Sequence, residues 1–256
     1  MDKIVAELDA AVGDVAPGST LAVGGFGTCG VPRALLEALR RRGTGGLSVV
    51  SNNGGTETDG VGLLIADGLV RRVTGSFIGG NAELTRRYLA GELEVELVPQ
   101  GTLAERLRAA GAGIPAFFTP TGVGTLVADG GLPLRYAPDG TVALASAPKE
   151  TRVIDGRTYV LESALRCDVA LVRAARADRY GNCAFRLAAR NFNPLCAMAG
   201  RLTIVEAEEV VPLGALEPDE VHLPGAFVQR VVAVPPGTAK PVEHRRVRAG
   251  TGEGAR

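Results

Sequence analysis

The segment TLAVGGFGTCGVPRALLEALRRR, residues 20–42, joins an apolar run to an amphipathic run through a glycine-rich turn. The apolar run at 20–23 predicts a strand, and the spacing of Leu35, Leu36 and Leu39 predicts a helix over residues 32–42. Pro32 suits the first helical position, where its missing N–H costs nothing. Because backbone N–H groups stay free at such a turn, we expect the loop to meet a phosphate, a carboxylate or a thioester oxygen.

Three glycines of this turn, Gly25, Gly27 and Gly30, match the dinucleotide-binding pattern G-x-G-x-x-G. A nicotinamide-binding unit also needs an acidic residue at the end of its second strand, to hold the ribose. Here the second predicted strand, at 47–50, is followed by SNNGG at 51–55, which contains no carboxylate. A dinucleotide-binding oxidoreductase and a tight turn without a ligand therefore stay open as alternatives.

Composition narrows the class of protein. Acidic and basic side chains number 28 each in the 256 residues, so a general nucleic-acid binder is disfavoured and a partner interface is plausible. Four cysteines without a C-x-x-C pair and only two histidines predict no metal site. Acidic residues interrupt the segment at 1–12, so we expect a helix rather than a signal peptide, and a cytoplasmic protein with reduced thiols. No apolar run is long enough for a membrane span.

Strand and helix patterns alternate along most of the chain. This alternation predicts an α/β fold, with a largely parallel sheet flanked by helices and an inserted loop and hairpin section at about 111–160. We expect one domain over residues 1–234, and a disordered C-terminal tail over 235–256, whose composition cannot build a core. Further predicted helices lie at 3–12, 81–90 and 103–110, and further predicted strands at 93–98, 169–172 and 202–205.

Polar side chains follow two of the predicted strands. Asn52 and Asn53 follow the strand at 47–50, and Gln100 follows the strand at 93–98, just before a T-x-x-E capping box formed by Thr102 and Glu105. In open α/β sheets, ligands bind at the carboxyl ends of the strands. We therefore expect these amides and the glycine-rich turn to converge on one crevice, where neutral donors suit a carbonyl or an oxyanion.

A nucleophile is harder to find. The chain has no G-x-S-x-G elbow, and pairing Cys29 with His222 as its base is less plausible than two unconnected side chains. The two asparagines of RNFNP, at 190–194, are expected to shape a loop rather than to react. Three glutamates after the strand at 202–205 are expected to be solvated, although they include the only other candidates: Glu206, Glu208 and Glu209.

Several long motifs resemble the alpha chains of family I coenzyme A transferases. The resemblance covers about residues 1–234 and is nearest to succinyl-CoA:3-oxoacid CoA-transferases, with the 3-oxoadipate enzymes next. The motifs that carry it are GGFGTCGVP at 24–32, SNNGG at 51–55, ELVPQGTLAERLRAAGAGIPAFFTPTGVGT at 96–125, ARADRYGN at 175–182, RNFNP at 190–194 and EPDEVHLPG at 217–225.

The resemblance implies a ping-pong transfer of CoA from succinyl-CoA to a 3-oxoacid, with a CoA thioester as substrate and no permanently bound cofactor. In the family, the nucleophilic glutamate lies in the beta subunit, in a Ser-Glu-Asn-Gly type motif that this sequence lacks. The chain is thus expected to be half of an active site, in an A2B2 heterotetramer of alpha and beta chains. A binding module without enzymatic activity stays open as another alternative.

The resemblance also implies roles for individual residues. The acyl carboxylate or oxyanion would be held by a pocket formed by Asn52, Asn53, Phe77 and Gln100. CoA or its thioester would be contacted by the glycine-rich loop, comprising Gly24, Gly25, Phe26, Gly27, Thr28, Cys29 and Gly30.

Overall fold

The computed structural model describes residues 2–234 and Thr238. The helices are α1 (Leu8–Ala11), α2 (Arg33–Arg42), α3 (Val61–Ala66), α4 (Ala82–Leu89), α5 (Gln100–Gly111), α6 (Leu126–Asp129) and α7 (Asn193–Ala199). The strands are β1 (Ile4–Val5), β2 (Thr20–Val23), β3 (Leu47–Ser51), β4 (Val70–Gly75), β5 (Glu94–Leu97), β6 (Ala116–Thr119), β7 (Pro133–Tyr136), β8 (Val142–Ala145), β9 (Thr151–Ile154), β10 (Arg157–Ser163), β11 (Cys167–Asp178), β12 (Cys183–Ala184), β13 (Gly200–Val211) and β14 (Arg230–Ala233).

The central sheet runs in the order β1-β14-β13-β11-β2-β3-β4-β5, with β12 attached to β11. Every neighbouring pair along this path is parallel, and only β12 pairs antiparallel. From β2 the chain builds outward through β3, β4 and β5, whereas from β11 it builds the opposite way, through β13 and β14. The direction of winding therefore changes between β2 and β11, and such a change opens a crevice at the carboxyl ends of the strands.

Helices cover both faces of this sheet. On one face, α1 to α4 pack a core that includes Leu35, Leu64 and Leu84, and on the other α5 and α7 pack a core that includes Leu107 and Cys196. Covering both faces makes the central strands continuously apolar, as in β3, which is buried throughout. The predicted α/β fold with a largely parallel sheet flanked by helices is confirmed.

The inserted section is also confirmed. It contains a three-stranded sheet, β6-β10-β9, and a two-stranded sheet, β7-β8. Arg106 of α5 fastens it to the main sheet, since this side chain donates to the Ser163 carbonyl at 2.8 Å and to the Glu96 carboxylate at 2.9 Å. Within residues 2–234 and Thr238, no helix is long and apolar enough to cross a bilayer.

The predicted helix at 3–12 is wrong over its first half. Ile4 and Val5 form a short strand that pairs with Val231 and Val232 of β14, and only Leu8–Ala11 is helical. Both side chains are β-branched and therefore suit the pleated edge of a sheet, and this tertiary pairing outweighs the local helical pattern.

The predicted capping box before α5 is wrong as well. The helix begins at Gln100 after Pro99, and the Leu103 N–H donates to the Pro99 carbonyl at 2.9 Å. Thr102 is already inside the helix and buried, and its hydroxyl has no partner among the described residues. The single domain over 1–234 stays a prediction, and the predicted disordered tail at 235–256 lies, apart from Thr238, outside the described residues.

Candidate functional site

A cavity of about 310 Å³ opens at the change of winding between β2 and β11. The glycine-rich loop that follows β2 forms one wall, the carboxyl half of β11 with Glu208 of β13 forms the floor, and a 3₁₀ helix at Leu187–Arg190 closes the far side. We call it the switch-point cavity. Its lining consists of Thr28, Cys29, Gly30, Val31, Arg33, Arg173, Ala174, Ala175, Arg186, Leu187, Ala188, Ala189 and Glu208.

The cavity exists because β2 leaves the sheet early. β11 pairs with β2 only over Val169–Leu171, and the last contact is the Gly24 N–H, which donates to the Leu171 carbonyl at 2.9 Å. Beyond that point β11 continues beside β13 alone, so its upper edge faces the space that β2 has left. The glycine-rich loop turns back over this space, and Gly25, at φ +112°, adopts a conformation that favours glycine.

The loop itself is a compact turn. Phe26 and Cys29 exchange backbone hydrogen bonds, each with an N···O distance of 3.0 Å, and the Asn191 side chain donates to the Cys29 carbonyl at 3.2 Å. Thr28 and Cys29 face the switch-point cavity, whereas the Phe26 side chain is 47% exposed. The loop therefore presents a polar wall to the cavity and an uncovered aromatic ring to solvent.

The N-terminus of α2 is already occupied by an anion of this chain. Glu206 of β13 is fully buried, and its Oε2 accepts a hydrogen bond from the Leu35 N–H at 2.9 Å. The α2 N-cap, Pro32, supplies no side-chain cap, so Glu206 takes that role from another element. The expectation that this helix N-terminus is free to meet a ligand anion is therefore wrong at the N–H group of Leu35.

A chain of ion pairs runs from this buried carboxylate into the cavity. Arg173 is 8% exposed and donates to Glu206 at 2.8 Å and to Glu208 at 3.2 Å. Glu208 also pairs with Arg186 at 3.2 Å. Burial raises the pKa of Glu206 to about 7, against the lowering effect of Leu35 and Arg173. The charges lining the floor are thus largely matched, and the cavity offers apolar walls with a few fixed polar groups.

Asn53 lies beside the glycine-rich loop on its other side. Its Nδ2 approaches the Gly27 carbonyl at 3.5 Å, and its Oδ1 accepts from the Gly55 N–H at 2.8 Å. Gly27 and Asn53 both line a narrow cleft of about 10 Å³ between the loop and β3. Asn52 is 3% exposed, and its Nδ2 has no hydrogen-bond partner among the described residues.

Phe77 and Gln100 lie farther along the same edge of the sheet. Phe77, after β4, bridges to Asn53 in parallel fashion, and its side chain is 59% exposed. Gln100 is exposed at the start of α5, after the edge strand β5. The structure joins Asn53 and Phe77 to the loop region through backbone contacts, and within residues 2–234 no hydrogen bond links the Gln100 side chain to these groups.

The candidate nucleophiles are engaged elsewhere. The expectation of a solvated Glu206 is wrong, because this residue is buried and each of its carboxylate oxygens accepts a hydrogen bond. Glu208 is held between two arginines, and Glu209 is exposed, as expected. His222 accepts the Phe185 N–H on Nδ1 at 2.9 Å, and burial lowers its pKa, so the ring is held neutral.

Sequence reasoning missed most of the switch-point cavity. It identified Thr28, Cys29 and Gly30, but not the wall that β11 contributes through Arg173 and Ala175. A usable signal was present, because an apolar strand at 169–172 is followed directly by an arginine, as ligand-facing strand ends often are. What the sequence does not show is that β11, which is distant along the chain, pairs with β2.

Comparison with known proteins identifies the family. The family model described as Coenzyme A transferase matches residues 5–234. A Xanthomonas campestris chain, named as the A-type chain of succinyl-CoA:3-ketoacid coenzyme A transferase, is 56% identical over 94% of this chain and 92% of its own length. A Mycobacterium tuberculosis chain, named as the probable A-type chain of the same enzyme, is 58% identical over 97% of this chain and 100% of its own.

A longer relative matches only in part. The Homo sapiens "Succinyl-CoA:3-ketoacid coenzyme A transferase 2, mitochondrial" is 52% identical over 86% of this chain, yet the match spans 43% of the human protein. More than half of the human chain therefore has no counterpart here.

Solved structures show the same fold. The acyl-CoA transferase YdiF of Escherichia coli O157:H7, solved as a thioester complex with CoA, aligns with a TM-score of 0.77 at 23% identity over 93% of this chain and 48% of its own. Glutaconate coenzyme A-transferase of Acidaminococcus fermentans aligns with a TM-score of 0.74 at 22% identity over 91% of this chain and 76% of its own. With the family model matching nearly every described residue, this chain belongs to the coenzyme A transferase family.

Proposed function

We propose that this chain is the alpha subunit of a heteromeric CoA-transferase that moves CoA from succinyl-CoA to a 3-oxoacid, with acetoacetate as the acceptor. The observation that carries the proposal is the 56–58% identity to chains named as the A-type chain of that enzyme, over 94–97% of this chain. Acetoacetate and 3-oxoadipate differ by a distal carboxylate, so the acceptor must be tested directly.

The half-site character of the chain supports a partner subunit. Neither Glu206 nor Glu208 offers an unengaged carboxylate, and the human relative carries more than half of its length beyond the matched region. We propose that the beta subunit supplies the nucleophilic glutamate, in an A2B2 assembly. A cytoplasmic location is supported by the four cysteines, all free, and by the bacterial relatives.

The proposed reaction proceeds through covalent exchange. The glutamate carboxylate of the beta subunit attacks the thioester carbonyl carbon of succinyl-CoA, the C–S bond breaks, and CoA leaves as a thiolate while a mixed anhydride forms. The thiolate then attacks the glutamyl carbonyl of that anhydride, releasing succinate and leaving an enzyme thioester. The acceptor carboxylate enters, and the same two steps run in reverse.

In this scheme the chain binds and orients the thioester. The glycine-rich loop, residues 24–30, contacts the CoA thioester with its backbone N–H groups, and the adjacent switch-point cavity receives the apolar part of the substrate. Asn52 has a buried, unpartnered Nδ2 that can donate to an acyl oxygen. Asn53, Phe77 and Gln100 complete the pocket along the same edge of the sheet.

The experiment is a transfer assay with succinyl-CoA and either acetoacetate or 3-oxoadipate. It uses this chain alone, and this chain mixed with the candidate beta subunit that bears the Ser-Glu-Asn-Gly motif. Activity only in the mixture supports the proposal, and the preferred acceptor separates short-chain 3-oxoacid metabolism from aromatic degradation. Activity from this chain alone would overturn the half-site assignment and direct attention to Glu208, while no transfer in either form would favour a binding module.

A further inference from the structure

Asn193 occupies the place that β2 vacates. At this point β11 loses its neighbour, because β2 turns away after Val23, and the next β11 donor would be left without a strand partner. Instead the Arg173 N–H donates to Asn193 Oδ1 at 3.0 Å. The carboxamide acts as a substitute peptide group, accepting the hydrogen bond that a continuing strand would have accepted.

The other end of the same amide holds two walls of the switch-point cavity. Asn193 Nδ2 donates to the Gly30 carbonyl at 2.9 Å and to the Ala189 carbonyl at 2.8 Å. Gly30 ends the glycine-rich loop, and Ala189 belongs to the 3₁₀ helix opposite. With its acceptor on β11 and both donors used, this one fully buried side chain ties together the floor and both sides of the cavity.

The glycines at the two ends of the loop are fitted to this side chain. A Cβ at Gly24 would lie 2.0 Å from Asn193 Oδ1, and a Cβ at Gly30 would lie 2.8 Å from its Nδ2. The loop can therefore close over Asn193 only where it carries no side chain. Asn191 supports the same arrangement from the outside, through its bond to the Cys29 carbonyl.

We propose that Asn193 is a positioning residue for CoA transfer: it fixes the glycine-rich loop in the conformation that receives the thioester and keeps the switch-point cavity open. The proposal rests on the proposed function for its catalytic consequence, but not for its structural one. Asn193 need not touch substrate, because it acts through Gly30 and through the backbone of β11.

The test begins with the conformation of the loop, which needs neither partner nor substrate. Cys29 lies in the loop and is partly exposed, whereas Cys167, Cys183 and Cys196 are buried, and burial raises the pKa of each of these thiols well above its usual range. Alkylation with iodoacetamide, followed by peptide mass spectrometry, therefore reports on the loop at Cys29 and on α7 itself at Cys196.

Asn193→Asp keeps the size of the side chain but replaces both Nδ2 donors with an oxygen facing two carbonyls. We expect alkylation of Cys29 to accelerate by about fivefold or more while Cys196 stays protected, because the loop is released before the fold is lost. Thr203→Val is the control: Thr203 is equally buried, and its hydroxyl donates to the Ala197 carbonyl of α7 without touching the loop. Its Cys29 labelling should match that of the wild type.

In the assembled enzyme, Asn193→Asp should lower kcat/KM for the acyl-CoA by about tenfold or more, with Thr203→Val within about twofold of wild type. If Asn193→Asp does not fold, the half-buried Asn191→Ala serves, since it removes the bond to Cys29 and should raise labelling by about threefold. Labelling of Cys29 within about twofold of wild type in the folded variant would overturn the proposal. Increased labelling together with unchanged transfer would also overturn it, while a wild-type assembly without transferase activity would count against the proposed function alone.

Discussion

Glu206 Oε2 accepts the backbone N–H of Leu35 at 2.9 Å, so the N-terminus of α2 is capped by a carboxylate from β13. Glycine-rich turns before a helix commonly direct these N–H groups at a bound phosphate. In this chain part of that capacity is used internally, and the same glutamate also pairs with Arg173. The anion-binding capacity proposed for the loop therefore lies in residues 24–30, ahead of the helix, rather than at the N–H of Leu35.

The buried carboxylate predicts a measurable dependence of stability on pH. Burial raises the pKa of Glu206 from 4.5 to about 7, so between these values the native state keeps a proton that the unfolded state has lost. The free energy of unfolding due to Glu206 therefore falls as the pH rises through this window, by up to about 1.4 kcal/mol per pH unit, and is constant above it. Glu206→Gln removes this effect, so its stability relative to wild type should improve from pH 4.5 to pH 7.

The measurement is chemical denaturation of both proteins across that window. Burial lowers the pKa of His222, which contributes in the opposite sense, because its stabilising neutral form is lost as the pH falls. Since His222 is present in both proteins, it cancels in the difference. A difference that stays flat with pH would show that Glu206 is ionised in the native state throughout, and that the ion pair with Arg173 outweighs its burial.

The parts of the fold that follow from local pattern could be predicted from the sequence. The leucines of α2 and the apolar strand before it specify the first strand–turn–helix unit, and the alternation of such units specifies the parallel sheet. Ile4 and Val5 could not be placed in this way, because they become a strand only through pairing with β14, more than two hundred residues away.

The candidate site divides along the same line. Asn53 and the glycine-rich loop follow consecutive strands, β3 and β2, so their proximity follows from chain order. Arg173 and Asn193 reach the loop through the pairing of β11 with β2, and nothing local to either residue indicates that pairing. The sequence therefore points to the near wall of the cavity and leaves the far wall to the three-dimensional structure.

Gly24→Ala should destabilise the protein strongly. The new methyl group would lie 2.0 Å from Asn193 Oδ1 and 3.2 Å from its Cα, and a fully buried side chain has little room to shift. Overpacking of this kind costs about 1–3 kcal/mol, and thermal unfolding should register it as a clear fall in Tm. Gly101→Ala, within α5 and with open space around its Cβ position, is the control and should raise the stability slightly, as alanine does in a helix. Equal Tm values for the two variants would contradict the tight fit between Gly24 and Asn193.

Ala175→Leu tests whether the switch-point cavity receives substrate. Ala175 is half-buried and lines the cavity on the β11 side, so a leucine can extend into the open volume without displacing the core. Unfolding should change little, whereas kcat/KM for the acyl-CoA in the assembled enzyme should fall by about tenfold. Ala143→Leu, on the exposed strand β8, carries the same change of size away from the cavity and should leave the kinetics intact. Unchanged kinetics in Ala175→Leu would place the substrate elsewhere along the edge of the sheet.

Gln100→Ala tests the far end of the proposed pocket. Gln100 stands at the first position of α5 with an exposed amide, so its removal leaves the helix and the core untouched. If this amide donates to the oxyanion or to the acyl carboxylate, the variant should lose about 2–4 kcal/mol of transition-state stabilisation, seen as a fall in kcat/KM with the partner bound normally. Glu105→Ala, on the same helix and paired with Arg108 at 2.8 Å, is the matched control. Activity of Gln100→Ala within about twofold of wild type would remove Gln100 from the site, and the pocket would then end at Phe77.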